Sequence, residues 1–431
     1  MKPAPPSLAQ LDHRYLWHPF TQMKDWMAEE PVIVESGEGA ILRDSRGREY
    51  IDANSSIWTN LHGHRHPKIT QAIKEQLDRI AHSSFLGLSN EPAIRLAEKL
   101  VQIAPSGLTR VFYSDDGSTA MEVAVKMALQ YWQHRDQPRR TKFVAFADAY
   151  HGDTLGAVSI GGIDLFHSAF RPLLFEVIHV NDPSRLANIM REHRDAVAGV
   201  VIEPLVQGAA GMKLWRRGLL AELRSLCTEQ GALLIADEVL TGFGRTGTMF
   251  ACEQEGVTPD LMAVAKGLTG GYLPLAATLT TEEIYRAFLG DYSEFKTFFH
   301  GHSYTGNQLG CAAALANLRV FQDEQTLVKI QPKCERLQAG LERVRALPHV
   351  GDVRHIGMIG AVELFQDVAT KEPFPLADKV GIRVCAEMRQ RGALTRPIGN
   401  TIVVLPPYCI SDEQLDRVMS VLAESIRAVV L

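Results

Sequence analysis

A chain of 431 residues, 46% hydrophobic and 22% charged with a formal net charge of −5, has the composition of a folded protein with a large core and about two or three domains. That balance excludes a disordered chain, a fibrous repeat and a disulfide-stapled miniprotein. The slight negative charge argues against a broad basic footprint for nucleic acid, and no apolar run approaches the roughly 18 residues that cross a bilayer, so no membrane span is expected.

The first ten residues, MKPAPPSLAQ, lack an apolar run and do not read as a secretory signal. Pro3, Pro5 and Pro6 predict a short lead without regular structure. The six cysteines, at 227, 252, 311, 334, 385 and 409, form no C-x-x-C pair and read as reduced thiols of a cytoplasmic protein. From about Gly107 to Thr281, short apolar runs alternate with helical patterns: RVFYS (110–114), KFVAFA (142–147), AGVVIEP (198–204), ALLIADE (232–238), DLMAVAK (260–266) and LAATLT (275–280). Strands that are apolar on both faces and separated by helices predict a mostly parallel sheet covered on both sides, an α/β fold. The spacing of apolar residues in STAMEVAVKMALQYW (118–132) predicts a helix, as does the Ala/Leu-rich stretch Asn307 to Phe321. Beyond about Gln322 charged helical stretches such as ERLQAGLERVRAL (335–347) predominate, with fewer strands. The expected division is an N-terminal segment 1–58, a large domain 59–321 and a smaller α+β C-terminal domain 322–431.

Ligands of open α/β sheets bind beyond the carboxyl ends of the strands, so polar residues there are the first candidates. Gly117 and Ser118 follow RVFYS and open the helix; a helix start offers free N–H groups to a phosphate, and Ser118 could equally serve only as a cap. Asp237 ends a buried strand, where a carboxylate must be paired; a metal, a proton, a cationic heterocycle and a structural ion pair all fit. Lys266 ends DLMAVAK and is followed by Gly267, Gly270 and Gly271; a lysine buried there loses its charge readily and becomes a nucleophile, whereas one that snorkels to the surface does not. GFGRTG (242–247) matches the dinucleotide fingerprint, but it does not follow its strand directly, no long amphipathic helix comes after it, and Asp260 begins a strand instead of ending one. The histidine groups HGHRH (62–66) and HGH (300–302) lack the further ligands of a metal site and read as loop hydrogen-bonders, so no metal is expected. Taken together, a phosphate seat at Gly117–Ser118, an aromatic at Tyr150, an anion at Asp237 and an amine at Lys266 match the needs of pyridoxal 5′-phosphate.

The chain resembles the class III (fold type I) aminotransferases over nearly its full length. The resemblance is carried by SDDGSTAMEVAVKMALQYW, YHGDTLGA, IEPLVQGAAGM, LLIADEVLTGFGRTG, AKGLTGG and HGHSYTGNQLGCAAA. It implies a fold type I architecture and a homodimer with active sites at the subunit interface, acting on small molecules. Gly117 and Ser118 would then hold the cofactor phosphate, Tyr150 would pack on its ring, and Asp237 would pair with its nitrogen. Lys266 would carry the cofactor and move protons. His302 and Ser303 would reach the phosphate of the neighbouring subunit. Phe20, Trp58, Gly301 and Arg396 would line the substrate pocket, Arg396 taking a carboxylate and Arg245 helping to orient the substrate. Glu203 and Gln207 sit near the cofactor in this family, without a firm role. WHPFTQM (17–23), NSSIWTNLHGHRHP (54–67), MALQYW (127–132) and TRPIGNTIVVLPPY (395–408) are similar to the branch of biotin biosynthesis that aminates 8-amino-7-oxononanoate. The expected donor is S-adenosylmethionine. Lysine stands second, because Phe20 and His302–Ser303 replace the Tyr and Pro-Thr of adenosylmethionine-using members. The alternatives are an ω-aminotransferase of diamines or ω-amino acids and a catalytically silent homologue, the latter disfavoured by the retention of both Asp237 and Lys266.

Overall fold

A computed structural model describes residues 5–431. Residues 1–4 of the proline-bearing lead, Pro3 among them, lie outside the described residues. Pro5 and Pro6 are exposed and irregular, and helix Leu8–Tyr15 starts directly after them, with Ser7 and Gln10 closing a reciprocal cap.

The central element is a seven-stranded sheet in the order Leu108–Ser114, Ala276–Thr281, Leu261–Val264, Leu233–Asp237, Val197–Ile202, Lys142–Phe146, Val177–Val180. Its middle strands are Val/Ile/Leu/Ala-rich and buried along their whole length, which is what covering both faces demands. Leu233 pairs with Gly199 and Ile235 with Leu261 in parallel register. Ala276–Thr281 runs antiparallel to both its neighbours, with Ala263 opposite Thr278 and Thr278 opposite Phe112. The expected mostly parallel sheet is therefore present, with one reversed strand. Reversal matters for the site: it leaves Leu108–Ser114 running the same way as the parallel strands, so their carboxyl ends share one edge. The edge strand Val177–Val180 escaped the sequence reading because it is short and only partly buried.

Helix Gly117–His134 buries Ala120, Met121, Ala124, Met127, Ala128 and Tyr131 against this sheet. Asp116 and Thr119 cap each other at its start, and the Thr278 hydroxyl donates to Ala120 O at 2.8 Å. Helix Gln308–Asp323, capped by Asn307, covers the short turn Lys266–Thr269. The Asn317 amide donates to Gly267 O at 2.9 Å and Leu268 O at 3.0 Å, fixing the backbone that carries Lys266.

The C-terminal part holds more strand than its charged texture suggested. Val350–Ile356, Ile359–Asp367, Thr401–Val404 and Pro397–Ile398 form an antiparallel sheet. Helices Thr326–Arg345 and Asp412–Val430 meet where Gly340 admits Met419. Strands Val34–Glu38, Ile41–Asp44 and Glu49–Asp52 were not anticipated. Ile51 and Asp52 pair in parallel with Ala393 and Leu394, so the first strands of the chain are built into a sheet with its last third. Among the described residues, no helix is long and apolar enough to cross a membrane.

Leu234 is fully buried in the strand that ends at Asp237. Truncating it leaves a cavity the rigid sheet does not close, so Leu234→Ala is expected to cost about 2–5 kcal/mol. A chemical-denaturation midpoint lower than wild type, with an unchanged slope, is the outcome to be measured.

Candidate active site

The carboxyl edge of the central sheet opens onto a cavity of about 460 Å³, bordered by Gly117, Ser118, Tyr150, Glu203, Asp237 and Lys266. Gly117 and Ser118 follow one strand, and each of the other four comes from the end of a different strand or from the turn after it. Five remote segments thus converge because their strands run in one direction.

Asp237 is 5% exposed, and its carboxylate is held on both oxygens. His151 Nδ1 donates to Oδ2 at 2.7 Å and Val239 N–H donates to Oδ1 at 3.0 Å. Burial opposes a charge on His151, but the hydrogen bond to Asp237 and its negative charge outweigh that and hold the imidazole above its ordinary value. The other ring nitrogen, Nε2, is buried without a partner. Lys266 sits on the cavity floor with φ at +23°. Burial lowers the pKa of its amine, while the Asp237 and Glu203 carboxylates pull the other way. Its Nζ lies 5.1 Å from the centre of the Trp58 ring.

Gly117 and Ser118 are the first residues of a helix of 18 residues, and the Asp116 carboxylate caps only the Thr119 N–H. Small residues are required around them. A Cβ at Gly117 would lie 2.6 Å from Val239 Cγ1, and one at Gly152 would fall 1.8 Å from Ser118 Oγ. Tyr150 is anchored by its phenol, which donates to Asp153 Oδ2 at 2.7 Å; burial and that carboxylate raise its pKa.

These groups fit pyridoxal phosphate on their chemistry. A helix start with uncapped leading residues and a glycine cradle suits a phosphate. A buried carboxylate fixed by His151 suits a protonated ring nitrogen, and an amine with lowered pKa suits an aldehyde.

Other expected residues lie elsewhere. Phe20 and Arg396 do not border the cavity: the Phe20 ring meets Tyr150, which does, edge-on at 6.5 Å, and Arg396 Nη2 donates to Phe20 O at 2.6 Å. Gly301, His302 and Ser303 do not border the cavity of their own chain. His302 Nδ1 lies 3.0 Å from Asp115, which does border it, and Ser303 O accepts from His82 at 2.8 Å. Arg245, expected to orient the substrate, does not border the cavity: it is 1% exposed, its guanidinium donating to Pro406 O at 3.0 Å, Asn60 O at 3.1 Å and Trp58 O at 3.3 Å. Its Nε is buried without a partner among the described residues, and its charge helps lower the pKa of Lys266. Gln207 is likewise buried, donating to Ala147 O at 2.8 Å. Of the histidines of HGHRH, His64 meets Asp52 at 3.1 Å and His66 reaches the distant Glu324 at 3.2 Å.

Sequence reasoning missed His151 and Phe166. A buried strand-end aspartate needs a donor, and the histidine beside Tyr150 was the available one. Phe166 completes an edge-to-face triangle with Phe20 at 5.3 Å and Tyr150 at 6.2 Å, which no local pattern announces.

The model of the aminotransferase class-III family matches residues 23–426, and the chain belongs to that family. It is a pyridoxal-phosphate-dependent aminotransferase. A relative from Geobacter sulfurreducens, named adenosylmethionine-8-amino-7-oxononanoate aminotransferase, is 52% identical over 98% of both chains. The crystal structure of the protein of that name from Methanocaldococcus jannaschii superposes with a TM-score of 0.97 at 46% identity, covering 98% of this chain and 99% of that one. A thermostable (S)-enantioselective omega-transaminase from Thermomicrobium roseum is similar at a TM-score of 0.94 and 33% identity, over 98% of each chain.

Glu203 is buried with Oε2 accepting from Tyr150 N–H at 3.2 Å and Oε1 from Gly208 N–H at 2.8 Å. Burial, opposed by His151 and reinforced by Asp237, pushes its carboxyl up to about 7 from an ordinary 4.5. The folded form then binds this proton more tightly than the unfolded form, so the contribution of Glu203 to stability is full below about 4.5 and is lost, by about 3 kcal/mol, as pH rises to about 7 and above. Glu203→Gln removes that slope but loses one amide acceptor. The apoprotein variant should melt below wild type at pH near 5, with the gap narrowing or reversing near pH 8; a gap independent of pH would contradict the buried acid.

Proposed function

We propose that this chain transfers an amino group to 8-amino-7-oxononanoate, forming 7,8-diaminononanoate for biotin synthesis, with S-adenosylmethionine as donor. The observation that carries this reading is the 52% identity over 98% of both chains to a relative named for that acceptor and donor. The geometry supports it with a site equipped for amine chemistry.

When bound, pyridoxal phosphate supplies an aldehyde that takes the amino group from the donor and yields it to the acceptor, and a ring nitrogen that draws electrons from the reacting carbon. The protein's own groups do the rest. The helix start at Gly117–Ser118 would hold the phosphate. Asp237, locked by His151 and Val239 N–H, would pair with the ring nitrogen and favour its protonated form. Burial lowers the proton affinity of Lys266 Nζ, so the amine can stand unprotonated and, with the cofactor bound, would serve as the base that moves a proton between the α-carbon of the amine and the cofactor's aldehyde carbon. The anchored Tyr150 ring and the Trp58 indole wall the reacting centre and keep water out. Arg396, which reaches the site through Phe20, would take the carboxylate of the oxononanoate by a bidentate pair. Phe20, Phe166 and Tyr150 give the aliphatic chain an apolar lane. Free cysteines at all six positions support a reducing, cytoplasmic setting.

The same reading includes a homodimer. Leu86 is 92% exposed, Phe299 73% and Tyr304 60%, all near the segment that holds Gly301, His302 and Ser303. Apolar side chains left that bare suit a second copy, which would bring His302 and Ser303 to the other copy's phosphate. Light scattering is expected to give twice the 47.7 kDa chain mass; a monomer that is fully active would remove this part.

The chemistry is tested by offering the oxononanoate with S-adenosylmethionine or lysine and measuring diamine, with Lys266→Ala as the blank. Turnover with adenosylmethionine and none in the variant is expected. Turnover with lysine alone reassigns the donor, and turnover only with other ω-amines and no oxononanoate moves the chain to the ω-aminotransferases.

A further inference from the structure

Four consecutive residues without a glycine among them, Ser55, Ser56, Ile57 and Trp58, have φ of +47°, +48°, +65° and +73°. They form one turn of left-handed helix. Trp58 N–H donates to Asn54 O and Thr59 N–H to Ser55 O, both at 2.9 Å, the four-residue spacing of an α-helix in the opposite hand. Each L-residue in that conformation is strained by its Cβ, and runs of them do not persist unless the surroundings hold them.

Two buried charges hold this one. Asp52, 2% exposed, reaches into the front of the turn. Its Oδ1 accepts from Ser56 N–H at 3.0 Å and its Oδ2 from the Ser56 hydroxyl at 2.9 Å, while His64 Nε2 donates to Oδ2 at 3.1 Å from behind. Arg245 closes the back, donating to Trp58 O and Asn60 O. An anion takes the N–H end and a cation takes the carbonyl end, the arrangement that a helical turn's dipole favours. The Ser55 hydroxyl donates to Leu405 O at 2.6 Å and ties the turn to the C-terminal sheet. The turn delivers the Trp58 indole, with Nε1 donating to Asn54 Oδ1 at 2.9 Å, to a place 5.1 Å from Lys266 Nζ.

We propose that Asp52 is a positioning residue of this enzyme: with Arg245 opposite, it clamps Ser55–Trp58 left-handed and so keeps the indole over the Lys266 amine. It touches neither substrate nor cofactor. Without the clamp the turn relaxes toward right-handed backbone, the indole leaves the amine, and the acceptor loses one wall of its pocket. The proposal rests on Trp58 serving as that wall, and one readout below does not depend on it.

The test combines Asp52→Asn with Ile57→Gly. Ile57 is 49% exposed, and glycine adopts its φ of +65° without strain. Asp52→Asn is expected to lower kcat/KM for the oxononanoate by tenfold or more, chiefly through KM. In the apoprotein, acylation of Lys266 by an amine-reactive reagent, read by peptide mass, should become faster because the amine is uncovered. The double variant should recover several-fold in both measurements, since glycine restores the left-handed turn without restoring the carboxylate. A purely structural Asp52 would not respond to a glycine at an exposed neighbour. Wild-type labelling and kcat/KM in Asp52→Asn, or a double variant no better than Asp52→Asn while both melt cooperatively, overturns the proposal. Should Asp52→Asn fail to fold, Ser56→Ala removes one bond of the clamp; it should shift both readouts the same way by a few-fold and be rescued likewise, and no shift overturns the proposal. If the oxononanoate is not a substrate at all, the labelling result still decides the clamp, and the two failures stay distinct.

Discussion

The placement of a buried carboxylate and a half-buried amine at one edge of a parallel sheet governs this molecule. Asp237 and Lys266 follow adjacent strands, so their positions are set by the register Asp237↔Ala263 and not by any contact between flexible loops. Taking polar groups out of water is costly, and the structure treats the two differently. Asp237 receives hydrogen bonds from His151 and a backbone N–H, whereas burial lowers the pKa of Lys266 against the pull of Asp237 and Glu203. One fold thereby prepares an anion and a reactive amine a short distance apart.

Around this pair the supporting groups share a logic. Asn317 grips the carbonyls after Lys266, Glu203 joins the Tyr150 turn to Gly208, and Arg245 holds the carbonyls behind Trp58. Each is a buried polar side chain whose partners are backbone groups of segments that carry site residues. A buried hydrogen-bonding group is expensive to leave unmatched, so these residues specify the loop conformations tightly. Backbone strain collects at the same places, at Lys266 and along Ser55–Trp58.

Much of the central sheet was legible because it is local information. Runs such as AGVVIEP and ALLIADE are apolar on both faces, which suits only a covered strand, and a polar residue ending such a run stands out. The start of helix Gly117–His134 was legible for a similar reason, since helical periodicity resumes directly after a strand. The strands Val34–Glu38 to Glu49–Asp52 were not, because their sheet is completed by Ala393 and Leu394, more than 300 residues away in sequence. The surroundings of Arg245 were hidden for the opposite reason: a charged residue in a glycine-rich stretch looks accessible, and only packing shows its Nη groups on the carbonyls of Trp58, Asn60 and Pro406.

Taken by itself, the amino-acid order determined the alternation of strand and helix, the acid and the amine that finish two strands, and the glycines that make room at the helix start. These follow from neighbour-to-neighbour patterns of size and polarity. Tertiary structure alone decided which strand runs backwards, that His151 fixes Asp237, that Phe166 joins Phe20 and Tyr150, and that Ser55–Trp58 winds left-handed. Those outcomes depend on groups distant in the chain meeting in space, where the competing demands of buried charges and backbone hydrogen bonds are settled together.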